Sequence, residues 1–450
     1  MTIKKLLIAN RGEIASRIIK TCRRLGIKTI AIYSEADEQM PYVAEADEAY
    51  LIGPPPAFQS YLRMNEIIKV ALQTGADAIH PGYGFLSENS DFVDRCEKEG
   101  ITFIGPSREV MKMMGSKIEA RKKMKVLGVP IVPGSSNAIE SVEEALQIAG
   151  SIGYPVMLKA SAGGGGIGME LVYSEEELNK AFFSTKSRSE KFFGDSLIFI
   201  EKYIENPRHI EMQIAIDHFG NAVHLFEREC SVQRRHQKVI EESPSPSIHP
   251  SQLEKLIQAA LKGAKGIGYR NLGTMEFIFD EQGNFYFLEM NTRLQVEHPV
   301  TEETTGLDLV EWQIEIANQK PLPLKQEAIK RDMHAIECRI YAEDPIRFFP
   351  SPGTISLLVW PEKIRIDTGI ASETTITPFY DPMIAKIVAK GINREEAILR
   401  MRTSLQTTQI EGIKTNIPFL LEVLENEEFI NGFYSTNLVK RMRENSVNKN

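Results

Sequence analysis

The chain has only four cysteines, Cys22, Cys96, Cys230 and Cys338, and none stands in CxxC or other metal-ligand spacing. That excludes a disulfide framework or a structural zinc site and leaves reduced packing thiols. Long apolar runs are also missing. No stretch approaches the ~18 apolar residues of a membrane span, and the start "MTIKKLLIANRGE" is too short in apolar length for a secretory signal core, so the expected place is the cytosol. Positive charge is not in excess: 61 acidic residues face 53 basic ones, the formal net charge is −8, and no basic stripe or arginine-rich tail is present. Nucleic acid is therefore a poor partner. The opening turn "IANRGEIA" has one glycine and no GxGxxG, which argues against an NAD enzyme, and "KASAGGGGIGM" is not GxxxxGK[ST], which excludes a P-loop.

What is present suggests two to four domains in 450 residues. The first ~115 residues alternate short apolar runs ("KKLLIAN", "KTIAIYS", "ADAIHPG", "ITFIGPS") with a helical pattern ("EIASRIIKTCRRLG"), which predicts βαβ units around a parallel sheet. From 116 to about 203 the pattern is a compact α+β insert, with the strands "YPVMLKAS" and "SLIFIEKYI" and a helix near 141–150. Further on come "HIEMQIAID", "NAVHLFERE", a hairpin in "GTMEFIFDEQGNFYFLEMN", and helices over 251–266 and 306–318. The loop "KPLPLKQE" is a plausible boundary, and the remainder is strand-rich with helices from 394 and 415. The expected divisions are 1–115, 116–330 with an insert over about 131–203, and 331–446. The fold class is mixed α/β and α+β.

Three stretches carry chemistry. "SVQRRHQKVIEESPSP" packs Arg234, Arg235, His236 and Lys238 into five positions of an acidic chain, pointing to a small anion. The glycine run after Lys159 reads as a phosphate cradle or as a flexible turn. In the hairpin, a turn centred between Gln282 and Gly283 sets Glu276 opposite Glu289. Two carboxylates across a ladder repel unless a divalent cation such as Mg²⁺ or Mn²⁺ sits between them; the alternative is an exposed strand face. If that strand continues, Glu289, Asn291, Arg293, Gln295 and Glu297 line one face. Asn291 could then extend the metal shell, Arg293 hold an oxyanion, and Glu297 take a proton if its pKa is tuned upward.

"IANRGEIA", "HPGYGFLSEN", "KASAGGGG", "EKYIENPRHIEMQ", "QRRHQK" and "EMNTRLQVEHPVTE" together resemble biotin carboxylase, a member of the ATP-grasp superfamily, over about residues 3–445. The resemblance implies an N-terminal Rossmann-like domain, an ATP-grasp domain with a mobile lid, and a strand-rich C-terminal biotin carboxylase domain. It implies ATP-dependent carboxylation of biotin from bicarbonate through carboxyphosphate, with two Mg²⁺ or Mn²⁺ ions. The reaction would be the first half of acetyl-CoA carboxylase or a related acyl-CoA carboxylase, with fatty acid synthesis as its setting.

Carried over by motif, Lys117, Lys159, Gly164, Gly165 and Gly166 would meet phosphates. Glu201, Lys202 and Ile204 would form the adenine hinge, with His209, Gln233 and His236 also at the nucleotide. Glu276, Glu289 and Asn291 would bind metal; Lys238, Arg293, Gln295, the Val296 backbone and Glu297 would hold bicarbonate, with Glu297 as base. Arg339 would stabilise the biotin enolate oxygen, and Tyr83 either walls the biotin pocket or packs as an ordinary aromatic. Arg234 and Arg235 are read as ion-pairing residues and His80 as a structural histidine. The Met111-Lys112-Met113 triplet lacks the β context of a biotin acceptor, so biotin is expected on a separate carrier protein, with carboxyltransferase subunits as further partners.

Two positions depart from the family pattern: Ile167 and Glu170 stand where relatives usually have arginines, which lowers positive potential at the lid and bears on docking of an acidic carrier. The helix "RIIKTCRRLG" differs in charge from the dimer-forming helix of some relatives, leaving a homodimer open. Another ATP-grasp ligase using an amine acceptor and a non-catalytic nucleotide sensor are the competing readings.

Overall fold

A computed structural model describes residues 2–135, 137–160, 168–194 and 196–447. The expected glycines Gly164, Gly165 and Gly166, and Ile167, lie outside the described residues.

The N-terminal region is a five-stranded parallel sheet in the order Glu48–Gly53, Lys28–Ser34, Lys5–Ile8, Ala78–His80, Thr102–Phe103. Its central strands are apolar on both faces because helices cover each side. The edge strand Glu48–Gly53, "EAYLIG", escapes a pattern reading because only Ile52 in it is fully buried. Strand order reverses beside Lys5–Ile8, and the loops leaving Lys5–Ile8 and Ala78–His80 straddle that crevice, where ligands collect in open parallel sheets. Asn10 ties the two loops, donating from Nδ2 to the carbonyls of Pro81 (2.8 Å) and Tyr83 (2.7 Å). Gly82, at φ +61°, is glycine for a reason: a Cβ there would lie 2.8 Å from Asn10 Nδ2.

The body of the chain is one eight-stranded antiparallel sheet ordered Phe285–Asn291, Asn271–Phe279, Arg208–Ile216, Ala222–Arg234, Gln237–Ser243, His334–Tyr341, Met383–Gly391, Arg365–Thr368. It runs without interruption across the division expected at 330. Gln237–Ser243 pairs with His334–Tyr341 through four register positions, from Ile240 opposite Cys338 to Ser243 opposite Ala335.

A separate three-stranded sheet, Met169–Val172, Val156–Ala160 and Ile198–Lys202, packs with helices Val142–Ile152 and Glu175–Phe193 around its own apolar core, including Leu158, Leu178, Phe182 and Ile200. The helix expected over 306–318 is Leu309–Ala317, and an unexpected helix, His298–Thr305, precedes it and ends at Gly306, whose φ is +72°. Lys112 is exposed on the short helix Arg108–Gly115, the helical lysine that its flanks predict. All four cysteines are buried and free.

Candidate active site

The hairpin sets the geometry. Glu276 is opposite Glu289, as the alternation predicts, although the turn is centred on Gln282 rather than beyond it. Phe279, Ile278 and Phe277 pair with Phe285, Tyr286 and Phe287; Leu288 is then bulged, and pairing resumes at Glu276–Glu289. Without that bulge Glu276 would face Leu288 and Glu289 would turn to the other side of the sheet.

The strand does not continue through residues 292–297, contrary to the expectation from alternating polar residues. It ends at Asn291, and an irregular segment leads to the helix His298–Thr305. The polar groups still converge, but through hydrogen bonds instead of strand alternation. Arg228, fully buried, is the hub: its guanidinium donates to Glu211 Oε1 (2.5 Å), Gln213 (2.8 Å), Thr301 (2.9 Å) and Gln295 (2.5 Å). Gln295 in turn donates to Glu276 (2.7 Å).

Lys238 lies at the centre. Its Nζ donates to Glu211 Oε2 (2.6 Å), Glu276 Oε1 (2.9 Å) and Glu297 Oε1 (2.6 Å). Burial lowers its pKa, but the three carboxylates outweigh this and hold it well above the ordinary lysine value. Glu297 also accepts from Arg339 Nη2 at 3.0 Å. Here the expectation of an upward-tuned base is corrected: burial pushes Glu297 up, but Lys238, Arg339 and Arg228 outweigh it and hold the carboxyl well below the usual range.

On the metal side, burial opposes the charge of Glu276, while Lys238 and His209 override it and keep this carboxyl well below its ordinary value. Burial and the neighbouring Glu276 raise Glu289. His209 meets Glu276 at 2.8 Å and Gln233 at 3.0 Å, so three of the expected nucleotide-side residues are in one chain of contacts. The hard oxygens of Glu276 and Glu289 suit Mg²⁺ or Mn²⁺. Asn291 would have to turn its amide over to join them, because Nδ2 donates to Glu276 (2.7 Å) and Oδ1 accepts from Arg293 (2.9 Å).

The lid residues stand apart. Glu201 is ion-paired with both Lys159 and Arg121, and burial raises its pKa less than these cations lower it. Lys202 donates to the carbonyls of Gly153 (3.1 Å) and Tyr154 (2.8 Å), and Ile204 is half-buried just beyond that strand. Burial lowers the pKa of Lys117, with Glu289 acting against it. Glu170, one of the departures from the family pattern, is ion-paired with Arg188 inside the lid, so its charge is answered locally.

His236 is exposed at the tip of the turn joining Ala222–Arg234 to Gln237–Ser243; Arg235 and His236 both have positive φ, 49° and 67°, as a tight two-residue hairpin turn requires. Arg234 pairs with Glu343 at 2.5 Å and lies 4.7 Å from the Phe348 ring centroid, the intramolecular role expected of it. Tyr83 donates to Glu13, and Lys386 bridges Glu13 (3.0 Å) and the Val296 carbonyl (2.9 Å). His80 is a satisfied core histidine, held by Gln313 (3.1 Å) and the Gly82 N–H (3.0 Å), with burial pushing its pKa down to about 4.

Sequence reasoning misses Glu211, Arg228, Glu88 and Lys386. Glu211 is findable in principle, because His209, Glu211 and Gln213 alternate onto one face and Glu211 pairs directly with Glu276. Glu88, which accepts from Arg293 (3.0 Å) and the Thr292 N–H (3.0 Å), sits in another domain and leaves no local signal.

A lid over an antiparallel sheet, with paired carboxylates, a lysine held among three carboxylates and an arginine-backed acid, defines a ligase site of the ATP-grasp class. Comparison with known proteins narrows this. Residues 2–111 match the family described as biotin carboxylase, N-terminal domain; 116–325 match the carbamoyl-phosphate synthase L chain ATP binding domain; 337–441 match the biotin carboxylase C-terminal domain. The chain is 58% identical over 439 residues to biotin carboxylase 2 of Bacillus subtilis, covering 97% of this chain and 99% of that one. A biotin carboxylase from Campylobacter jejuni, solved as a β,γ-ATP complex, superposes with TM-score 0.95 at 48% identity over 98% of this chain and 99% of that chain. The biotin carboxylase domain dimer of Hydrogenobacter thermophilus 2-oxoglutarate carboxylase, solved with MgADP, ADP and bicarbonate, gives TM-score 0.94 at 49% identity, covering 98% of each chain. The chain belongs to the biotin carboxylase family and is a ligase.

Proposed function

We propose that this chain carboxylates biotin on a separate carrier protein, using ATP and bicarbonate, as the first half-reaction of acetyl-CoA carboxylase or a related carboxylase. The observation that carries the assignment of roles is Glu297 held between Lys238 and Arg339, with Lys238 also reaching Glu276 on the metal side. One lysine thus joins the acid–base centre to the nucleotide end.

Bicarbonate entering this site takes over part of the charge of Lys238 and Arg293, and the proton affinity of Glu297 rises as its cations are shared. A bicarbonate oxygen attacks the γ-phosphorus, its proton passes to Glu297, and the bond to the β–γ bridging oxygen breaks to give ADP and carboxyphosphate. Glu276 and Glu289 would hold a divalent ion, which would supply charge neutralisation for the phosphate oxygens. Lys117 and Lys159 neutralise phosphate, and Lys159 must leave Glu201 to do so. Glu201, Lys202 and Ile204 border the adenine, with His209, Gln233 and His236 along the nucleotide; Gln295 and the Val296 backbone complete the bicarbonate cradle. The C–O bond of carboxyphosphate then breaks, the carboxyl carbon bonds N1′ of biotin, and the departing phosphate takes the N1′ proton, with Arg339 facing the ureido oxygen and Tyr83 beside it. Relatives at 50–52% identity belong to a pyruvate carboxylase of Methanothermobacter thermautotrophicus, a methylcrotonoyl-CoA carboxylase of Rattus norvegicus and the 2-oxoglutarate carboxylase of Hydrogenobacter thermophilus, which supports leaving the choice of acceptor to a partner carboxyltransferase.

The test is ATP hydrolysis that requires bicarbonate and rises with free biotin. ATP hydrolysis needing an amine instead would favour another ATP-grasp ligase, and nucleotide binding with no turnover would favour a sensor.

A further inference from the structure

Behind Arg339, on the face of the large sheet covered by the helix His298–Thr305, two glutamates are set directly opposite one another: Glu241 on Gln237–Ser243 and Glu337 on His334–Tyr341. Both are 0% exposed. None of their four carboxylate oxygens has a hydrogen-bond partner among the described residues. Among the described residues the single close cationic approach to Glu241 is Arg339 Nη2, 2.5 Å from Oε1 but not aligned as a hydrogen bond, and that same nitrogen is 3.0 Å from Glu297 Oε2. Arg339 is therefore held between an acid facing the site and an acid facing the interior.

The charged groups acting on the pair are Arg339, Lys238, Lys386 and Glu297. Lys386 already serves Glu13 and the Val296 carbonyl, and Lys238 already serves Glu211, Glu276 and Glu297. Cys230, Cys338 and Tyr341 also lie close enough to feel Glu241, and burial chiefly raises each of them, so none supplies a counter-charge. Two ionised carboxylates opposite one another in a fully buried site, sharing one arginine, repel strongly. One proton removes that repulsion.

We propose that Glu241 and Glu337 hold one proton between them and that, through Glu241, this pair positions the Arg339 guanidinium for the biotin ureido oxygen. Burial raises both groups, Glu241 to about 7 and Glu337 well above the ordinary glutamate value, in keeping with a shared proton near neutral pH. A single negative charge behind Arg339 holds the guanidinium against Glu241, whereas a second would add another anion beside a cation that Glu297 already pairs. Neither glutamate touches the reacting atoms, so both are positioning residues, and their link to biotin rests on the function proposed above.

Two measurements test this. Infrared spectra of the full chain at neutral pH, comparing wild type with Glu337→Gln and Glu241→Gln, should show a protonated-carboxyl band in wild type that is lost or shifted in both variants. A band unchanged in both, or absent from wild type, overturns the shared proton. In steady-state assays, Glu241→Gln should raise KM for free biotin about tenfold while KM for ATP stays within about twofold, the split expected when one hydrogen-bonding group is misplaced. Glu241→Asp should recover less than Glu337→Gln, because only Glu241 reaches Arg339. A biotin KM within twofold of wild type in a folded Glu241→Gln protein overturns the positioning role. If wild type shows no stimulation by biotin, the reaction assignment fails, and the infrared arm still decides the proton.

Discussion

The floor and the lid of this site are built on opposite plans. On the floor, Glu211, Glu276, Glu297, Arg228 and Arg339 are buried, Lys238 is half-buried, and these side chains satisfy one another within one network on a sheet or its edge. In the lid, Lys159, Glu201 and Lys202 engage partners that nucleotide would have to displace or compete with, and the elements that hold them have a separate apolar core. On the function proposed above, chemistry falls to the part that is prearranged and ligand capture to a part with its own core.

The largest effect should come from the floor. Glu297→Gln preserves shape but cannot accept the bicarbonate proton, so bicarbonate-dependent ATP turnover should fall by ~10² or more. Calorimetry should find ATP affinity nearly unchanged; turnover close to wild type would remove Glu297 from the role of base.

Acid should also separate the two regions. His80 has a folded pKa of about 4, below its ordinary 6.5, so the unfolded chain binds a proton that the folded chain refuses. The stability is intact above pH 6.5 and is lost as pH falls toward 4, with a ceiling on the order of 3 kcal/mol from this one group. The segment 131–203 contains no histidine. Hydrogen exchange between pH 6.5 and 4 should therefore weaken the sheet around His80 before the lid, and urea midpoints of His80→Gln should lose part of their pH dependence. Equal loosening of both regions would contradict this.

Next in size, Glu289→Gln removes one of two facing carboxylates. Turnover at fixed Mg²⁺ should drop about tenfold, and half-maximal activity should need more Mg²⁺. Unchanged metal dependence would take the pair out of metal binding. The smallest effect belongs to the lid surface: the Glu170–Arg188 pair is partly exposed, so Glu170→Gln should cost no more than about 1 kcal/mol, and less in high salt. A larger, salt-independent loss by differential scanning calorimetry would show that the pair holds the lid together.

Much of the floor is legible in the sequence because antiparallel strands alternate. The pairing of Glu276 with Glu289 follows from alternation even with the turn centre misplaced, since the Leu288 bulge offsets the shift. Bulges have no strong sequence signature, so that agreement rests on two compensating departures. The run from Asn291 to Glu297 reads as strand because its polar residues alternate, whereas the chain turns there and Arg228, more than sixty positions away, gathers the side chains. Contacts of that reach leave nothing in a local window. Glu241 and Glu337 are invisible for the same reason, standing nearly a hundred residues apart until the sheet closes.

That closure has a consequence during synthesis. Gln237–Ser243 leaves the ribosome about ninety residues before its neighbour His334–Tyr341. At typical elongation rates its backbone edge, carrying Glu241 and Glu242, waits roughly 5–20 s for a partner. A nascent chain halted in that interval exposes an open ladder in the middle of the finished sheet, the place where a wrong strand would do most harm. A ribosome pausing near residue 330 should thus yield more aggregate than one pausing beyond 391, where Met383–Gly391 has also been delivered.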